Sequence, residues 1–242
     1  MKIVIPDDFQ DAVRTLDCFS KLDGHDVTVY NDSVTDVDVL AQRFQDAEAL
    51  VLIRERTAIG EALLSRLPNL KVIAQTGRGM PHLDLAACTR HGVLVTSGGG
   101  SPTATAELTW GLVLAAMRRI PQEVSSMKAG RWQSHLGIGL SGRTLGIFGY
   151  GKIGSVVSTY GRAFGMKVIV WGREGSLTRA AADGYETVSS QTALFEQSDV
   201  LCLHVKLAKE TRSIVTAGYL AAMKPTAVLV NTSRADLIEA GA

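Results

Sequence analysis

TLGIFGYGKIGSVVSTYGRAFGMKVIVWGR, residues 144–173, reads as a strand, a glycine turn, a helix and a second strand. The apolar run 145–148 suits a parallel strand buried on both faces. Gly149, Gly151 and Gly154 follow it at the GxGxxG spacing. In that motif the first glycine makes the tight turn, the second lets the backbone approach a pyrophosphate, and the third lets the helix pack closely on the strand. Tyr150, Lys152 and Ile153 complete the loop. A helix starting near Lys152 aims unpaired backbone N–H groups and the positive end of its dipole at bound phosphates. GxGxxG alone occurs in many loops. The strand before it, the amphipathic helix after it and the apolar run 168–171 supply the βαβ context of a dinucleotide site.

The rest of the chain agrees with that reading. Its 242 residues suffice for one large domain or two modest ones, with full cores. The 25 basic and 24 acidic side chains nearly balance, which offers no electrostatic case for nucleic acid or an anionic membrane. MKIVIPDDF meets acid after a short apolar stretch and so lacks a secretory hydrophobic region, and no apolar run is long enough to span a bilayer. A soluble, cytoplasmic protein is expected. Cys18, Cys88 and Cys202 are few, odd in number and widely spaced. They suit reduced thiols buried in packing, and fit neither a disulfide framework nor a zinc site, so no metal is expected.

Apolar runs at 3–5, 27–30, 49–53, 72–74 and 93–95 alternate with helical patterns such as 37–44 and 62–67. This predicts a first α/β unit with a parallel sheet over residues 1–98. SGGGS at 97–101 interrupts it; Ser101 suits a helix N-cap, Pro102 the first helical position, and apolar residues continue through Met117. A second unit, 99–242, begins with this connecting helix and has strands at 145–148, 168–171, 200–203 and 227–230. Ligands in such sheets gather beyond the carboxyl ends of the strands. The candidates there are Gly149 to Gly154, Gly172 and Arg173, His204 to Lys206, and Asn231 to Arg234.

An NAD site places an acidic residue at the end of its second strand to bind the ribose 2′-hydroxyl. Here that strand ends Trp171, Gly172, Arg173. A carboxylate would repel a 2′-phosphate, whereas a guanidinium pairs with it through two charge-assisted hydrogen bonds. Ser176 could add a hydroxyl donor. The pattern favours NADP and leaves NAD possible, since Glu174 in a shifted loop could reach the ribose.

Three ordered blocks, GYGKIGSVVSTYGRAFGMKVIVWGR, DVLCLHVKLAKETRSIV and MKPTAVLVNTSRADLIE, resemble the D-isomer-specific 2-hydroxyacid dehydrogenases, which include phosphoglycerate, glyoxylate and hydroxypyruvate reductases. TGRGMPHLDL at 76–85 and TATAELTWGLVLA at 103–115 extend the resemblance over nearly the whole chain. It implies two doubly wound α/β domains flanking a cleft, the first flavodoxin-like and substrate-binding, the second a Rossmann NAD(P)-binding domain. The implied reaction moves a hydride between a nicotinamide and C2 of a small 2-oxo or 2-hydroxy acid. Arg234 in NTSR matches the catalytic arginine. Hydride attack makes an alkoxide beside a carboxylate, and a planar cation stabilises both charges. Gly77, Arg78 and Gly79 match the loop whose backbone N–H groups hold the substrate carboxylate, an anion nest, with Arg54 and Arg56 as further candidates. His204, Val205 and Lys206 match a loop around the adenosine, and Asn231, Thr232 and Ser233 one around the nicotinamide. The family also implies a homodimer joined through the connecting helix.

Family members carry a glutamate and then a histidine after the arginine, an acid–base pair. This sequence ends at Ala242 before either, and none of His25, His82, His91, His135 or His204 sits in a matching motif. The expectation is a piece of a longer enzyme with an open sheet edge. A different class, a dinucleotide-sensing protein resembling dehydrogenase-like corepressors, would need cofactor binding without the acid–base pair.

Overall fold

The computed structural model describes all 242 residues and divides into two units, 1–100 and 101–242. In the first, strands β1 (Lys2–Ile5), β2 (Asp26–Val29), β3 (Ala49–Leu52), β4 (Val72–Gln75) and β5 (Leu94–Ser97) form an all-parallel sheet in the order β2-β1-β3-β4-β5. This is the flavodoxin-like order, with its topological switch point between β1 and β3. Helices α1 (Val37–Phe44), α2 (Glu61–Leu64) and α3 (Leu85–Arg90) cover one face. Asp36 caps α1 by accepting from the amides of Asp38 and Val39, and Leu40, Ala41 and Phe44 at helical spacing turn inward onto Leu50, Leu52 and Ile73. The other face carries a smaller core of Ile3, Ile5 and Ala49, roofed by Val13, Phe19 and Leu22 from two 3-10 turns between β1 and β2.

The second unit begins with α4 (Pro102–Met117), which Ser101 caps with Pro102 in its first turn, as the sequence implies. A second helix, α5 (Ile120–Lys128), follows, which the sequence pattern did not reveal. Strands β6 (Thr144–Phe148), β7 (Lys167–Trp171), β8 (Glu186–Thr187), β9 (Val200–Leu203) and β10 (Val228–Asn231) form a parallel sheet in the order β10-β9-β6-β7-β8. With β6 as the first strand, this is the Rossmann order read from one edge, and the chain reverses direction across the sheet between β6 and β9. The helices are α6 (Lys152–Ala163), α7 (Glu174–Ala182), α8 (Gln191–Gln197) and α9 (Ala217–Ala221). Leu145, Ile147, Val157, Val200 and Cys202 are fully buried where α4 and α6 cover the central strands. The short β8 escaped the sequence reading because its two residues are polar, exposed edge positions.

One expectation fails outright. Cys88 and Cys202 are buried, but Cys18 lies exposed in a 3-10 turn, where its sulfur packs into no core. No helix is long and apolar enough to cross a membrane.

Candidate active site

In the second unit the residues singled out from sequence gather at the switch point. Gly149 adopts φ 97°, outside the range an L side chain takes comfortably, and its N–H donates to the carbonyl of Trp171 at 2.8 Å. A Cβ built there would lie 2.8 Å from the carbonyl oxygen of His204. Turn geometry and the close passage of β9 therefore both demand glycine. A Cβ on Gly154 would strike the carbonyl of Gly149, so that glycine seats α6 against the turn. Gly151 is the N-cap of α6, and its following residues, Lys152 and Ile153, open the helix whose first amides have no partner within it.

The Tyr150 side chain is buried, donating its hydroxyl to Asp183 Oδ2 at 2.6 Å. Burial, then the Asp183 carboxylate, push the phenol above its ordinary pKa. Its carbonyl accepts from Ser176 Oγ at 2.9 Å and Arg179 Nη2 at 3.0 Å. The Ser176 hydroxyl proton, offered by the sequence reading to a phosphate, is thus committed to bracing the loop. Arg173 is the exposed N-cap of α7, and Glu174 the first residue of that helix. A Cβ on Gly172 would meet Ser176 Cβ at 3.4 Å and Gly149 Cα at 3.5 Å, ordinary contacts.

On the other side of the switch point, His204 follows β9. Both ring nitrogens are buried without a hydrogen-bond partner, and desolvation pulls the imidazole pKa down to about 4. A neutral imidazole with an unanswered N–H is costly. Val205 packs toward Gly149, and the carbonyl of Lys206 accepts from Thr211 Oγ1 at 2.7 Å, which shapes the loop. The glycine cradle, the helix N-terminus and the orphaned imidazole fit a dinucleotide.

The NTSR segment is built by its own side chains. Asn231 Oδ1 accepts from the Ser233 amide at 2.9 Å and its Nδ2 donates to the Arg234 carbonyl at 2.9 Å, an Asx turn. Ser233 Oγ donates to the Leu203 carbonyl at 2.9 Å, tying the end of β10 to that of β9, and Thr232 shares a hydroxyl bond of 2.8 Å with Thr109 on α4. Arg234 emerges exposed from this frame, with Nη1 on the carbonyl of Ser233 at 2.9 Å.

In the first unit, Gly77, Arg78 and Gly79 form the loop after β4, with Arg78 exposed. Arg54, exposed and at φ 60°, follows β3. Arg56 does not join it as a free cation: its guanidinium donates to the Asp7 carbonyl and lies 4.2 Å over the Phe9 ring. Sequence reading missed Asp7 and Gln75. Both are buried polar residues at strand ends, and that position is the one signal that could have exposed them. No cluster of residues suited to a metal is present.

Residues 110–242 match the family model for the D-isomer specific 2-hydroxyacid dehydrogenase NAD binding domain. The chain is 36% identical over 215 residues to a glyoxylate reductase of Thermococcus litoralis, covering 84% of this chain and 64% of the relative. The chain thus spans just under two thirds of that relative's length. Among solved structures, an oxidoreductase from Ralstonia solanacearum superposes with a TM-score of 0.94 at 58% identity, over 98% of this chain and 74% of that one. A phosphoglycerate oxidoreductase from Vibrio cholerae gives 0.96 at 52%, over 100% and 78%.

Proposed function

Because the chain belongs to the D-isomer specific 2-hydroxyacid dehydrogenase family, we propose that it serves an NAD(P)-dependent D-2-hydroxyacid dehydrogenase acting on a small 2-oxo or 2-hydroxy acid, such as glyoxylate or hydroxypyruvate. The observation that carries this is the glycine turn at the Rossmann switch point, with the unsatisfied His204 imidazole across from it. A bound reduced nicotinamide supplies the hydride. The chain's residues do the rest. Amides from Gly149 to Gly154 hold the pyrophosphate, His204 to Lys206 border the adenosine, and Asn231 to Ser233 border the nicotinamide. The backbone of Gly77 to Gly79, with Arg54 and Arg78, binds the substrate carboxylate. Arg234 stabilises the alkoxide that develops at C2, a role for a fixed planar cation.

NADP is the preferred dinucleotide in this reading. Gly172 withholds a carboxylate from the ribose, and Arg173, exposed at the start of α7, is available to a 2′-phosphate. Residues 1–98 are the substrate domain and 99–242 the nucleotide domain. The protein works in the cytoplasm as a homodimer. Support for pairing comes from the exposure of Leu108, Leu112, Val124, Met127, Trp132 and Leu136 along α4, α5 and the loop after them.

The test is oxidation of NADPH and NADH against a panel of 2-oxo acids, with Arg234→Ala alongside. Turnover that Arg234→Ala lowers by about 10² or more supports the assignment. Turnover unaffected by that change would remove Arg234 from the chemistry.

A further inference from the structure

At the switch point of the first sheet, two neighbouring strands end in left-handed residues that are not glycine: Asp7 after β1 at φ 66° and Arg54 after β3 at φ 60°. Such backbone is disfavoured for residues carrying a Cβ, and it persists only where the surroundings over-determine it. The surroundings here do so from both ends of the segment Arg54–Glu55–Arg56–Thr57. At its far end Thr57 Oγ1 donates to Asp7 Oδ2 at 2.5 Å, both residues being buried, and the Arg56 guanidinium donates to the Asp7 carbonyl. At its near end Gln75, also buried, donates from Nε2 to the Arg54 carbonyl at 2.6 Å. That bond fixes the Gln75 amide, so its Oε1 accepts from His82 Nε2 at 3.2 Å. The loop is therefore clamped by β1 on one side and β4 on the other, while the Arg54 side chain itself stays exposed.

From this we infer that Asp7 and Gln75 are positioning residues: by pinning the two ends of the 54–57 loop, they hold Arg54 in the conformation that presents its guanidinium to the anionic group of the substrate. This rests on the proposed assignment of Arg54 to substrate binding. Neither residue touches substrate. Their contribution acts through the placement of a cation, and small misplacements of a binding group are costly. The effect should therefore appear in the substrate's KM and leave dinucleotide binding alone.

The experiment compares Thr57→Val, Thr57→Ser, Gln75→Met and Arg54→Ala in the intact protein, with KM for the 2-oxo acid, KM for NADPH, kcat and Tm measured for each. Thr57→Val keeps shape but removes the donor to Asp7, and Thr57→Ser restores it. Expected are rises of about tenfold in 2-oxo acid KM for Thr57→Val and Gln75→Met, with NADPH KM and kcat within about twofold. Thr57→Ser should return to the parent value, and Gln75→Met should add nothing in the Arg54→Ala background. If Arg54→Ala leaves the 2-oxo acid KM unchanged, the substrate role of Arg54 and this inference fall together. If Arg54→Ala raises it while Thr57→Val and Gln75→Met do not, the inference alone is overturned. A uniform loss of kcat and both KM values with lowered Tm in Thr57→Val, not rescued by Thr57→Ser, also overturns it in favour of a purely structural role.

Discussion

Replacing Gly172 by aspartate and Arg173 by alanine should turn the cofactor preference over, and the magnitude follows from the end of β7. A Cβ at residue 172 meets its nearest neighbours at 3.4 and 3.5 Å, so it enters without displacing Gly149 or Ser176, and stability should change little. Two unit charges about 4 Å apart repel by about 1 kcal/mol in water and about 4 kcal/mol at an effective dielectric of 20. A carboxylate at this half-buried position should thus disfavour a 2′-phosphate by about 2 kcal/mol, or about 30-fold. Hydrogen bonds to charged groups are worth about 1.5–3 kcal/mol, and the exposure of Arg173 reduces that to about 1–2 kcal/mol, a further loss of about 5- to 30-fold. Being adjacent, the two effects should add incompletely, giving a shift in the NADPH-to-NADH affinity ratio of about two orders of magnitude. Titration of each variant with NADPH and NADH, followed by dinucleotide fluorescence, reads the ratio directly. An Arg173→Ala variant whose ratio stays within twofold of the parent, or in which both affinities fall together, refutes the reasoning.

Other outcomes follow from the same geometry. Gly149→Ala forces a side chain into φ 97° and against the His204 carbonyl at 2.8 Å, so it should cost about 2–4 kcal/mol by urea denaturation and abolish measurable dinucleotide binding. His204 is neutral when folded, with its pKa pulled from 6.5 to about 4, so the unfolded chain binds the extra proton. Stability should therefore fall as pH drops from about 6.5 toward 4, by a little over 1 kcal/mol per unit and about 3 kcal/mol in all. In His204→Gln, urea midpoints at pH 5 and 7 should differ by correspondingly less. Tyr150→Phe loses the bond to Asp183 and should cost about 1 kcal/mol in the same assay. Trp132→Ser with Leu136→Ser, both exposed, should shift a dimer toward monomer in sedimentation at unchanged Tm.

The strand, glycine turn and helix at 144–163 were legible because they occupy consecutive residues, and Asn231 to Arg234 likewise shape their own turn. What escaped depends on residues far apart in the chain. Nothing near Asp7 announces Thr57, fifty positions on, and nothing near Gln75 announces the Arg54 carbonyl. Ser176 looked like a phosphate ligand because its neighbours suggested it, and only the folded βαβ unit brings the Tyr150 carbonyl to its hydroxyl. Cys18 was read as buried because cysteines usually are, but the 3-10 turn that carries it lays it on the surface.

The sequence by itself determined two parallel α/β sheets and the glycine turn, because hydrophobic period and glycine spacing are properties of contiguous residues, and three ordered blocks of sequence carried the resemblance to the family. The tertiary structure alone decided which polar groups are spoken for. Tyr150 and Ser176 brace the turn, Arg56 is tied to Asp7, and the His204 imidazole is left buried with both nitrogens unanswered. The physical reason is that a hydrogen bond is decided by what lies within about 3 Å, and strands distant in sequence meet at that range only once the sheets have formed.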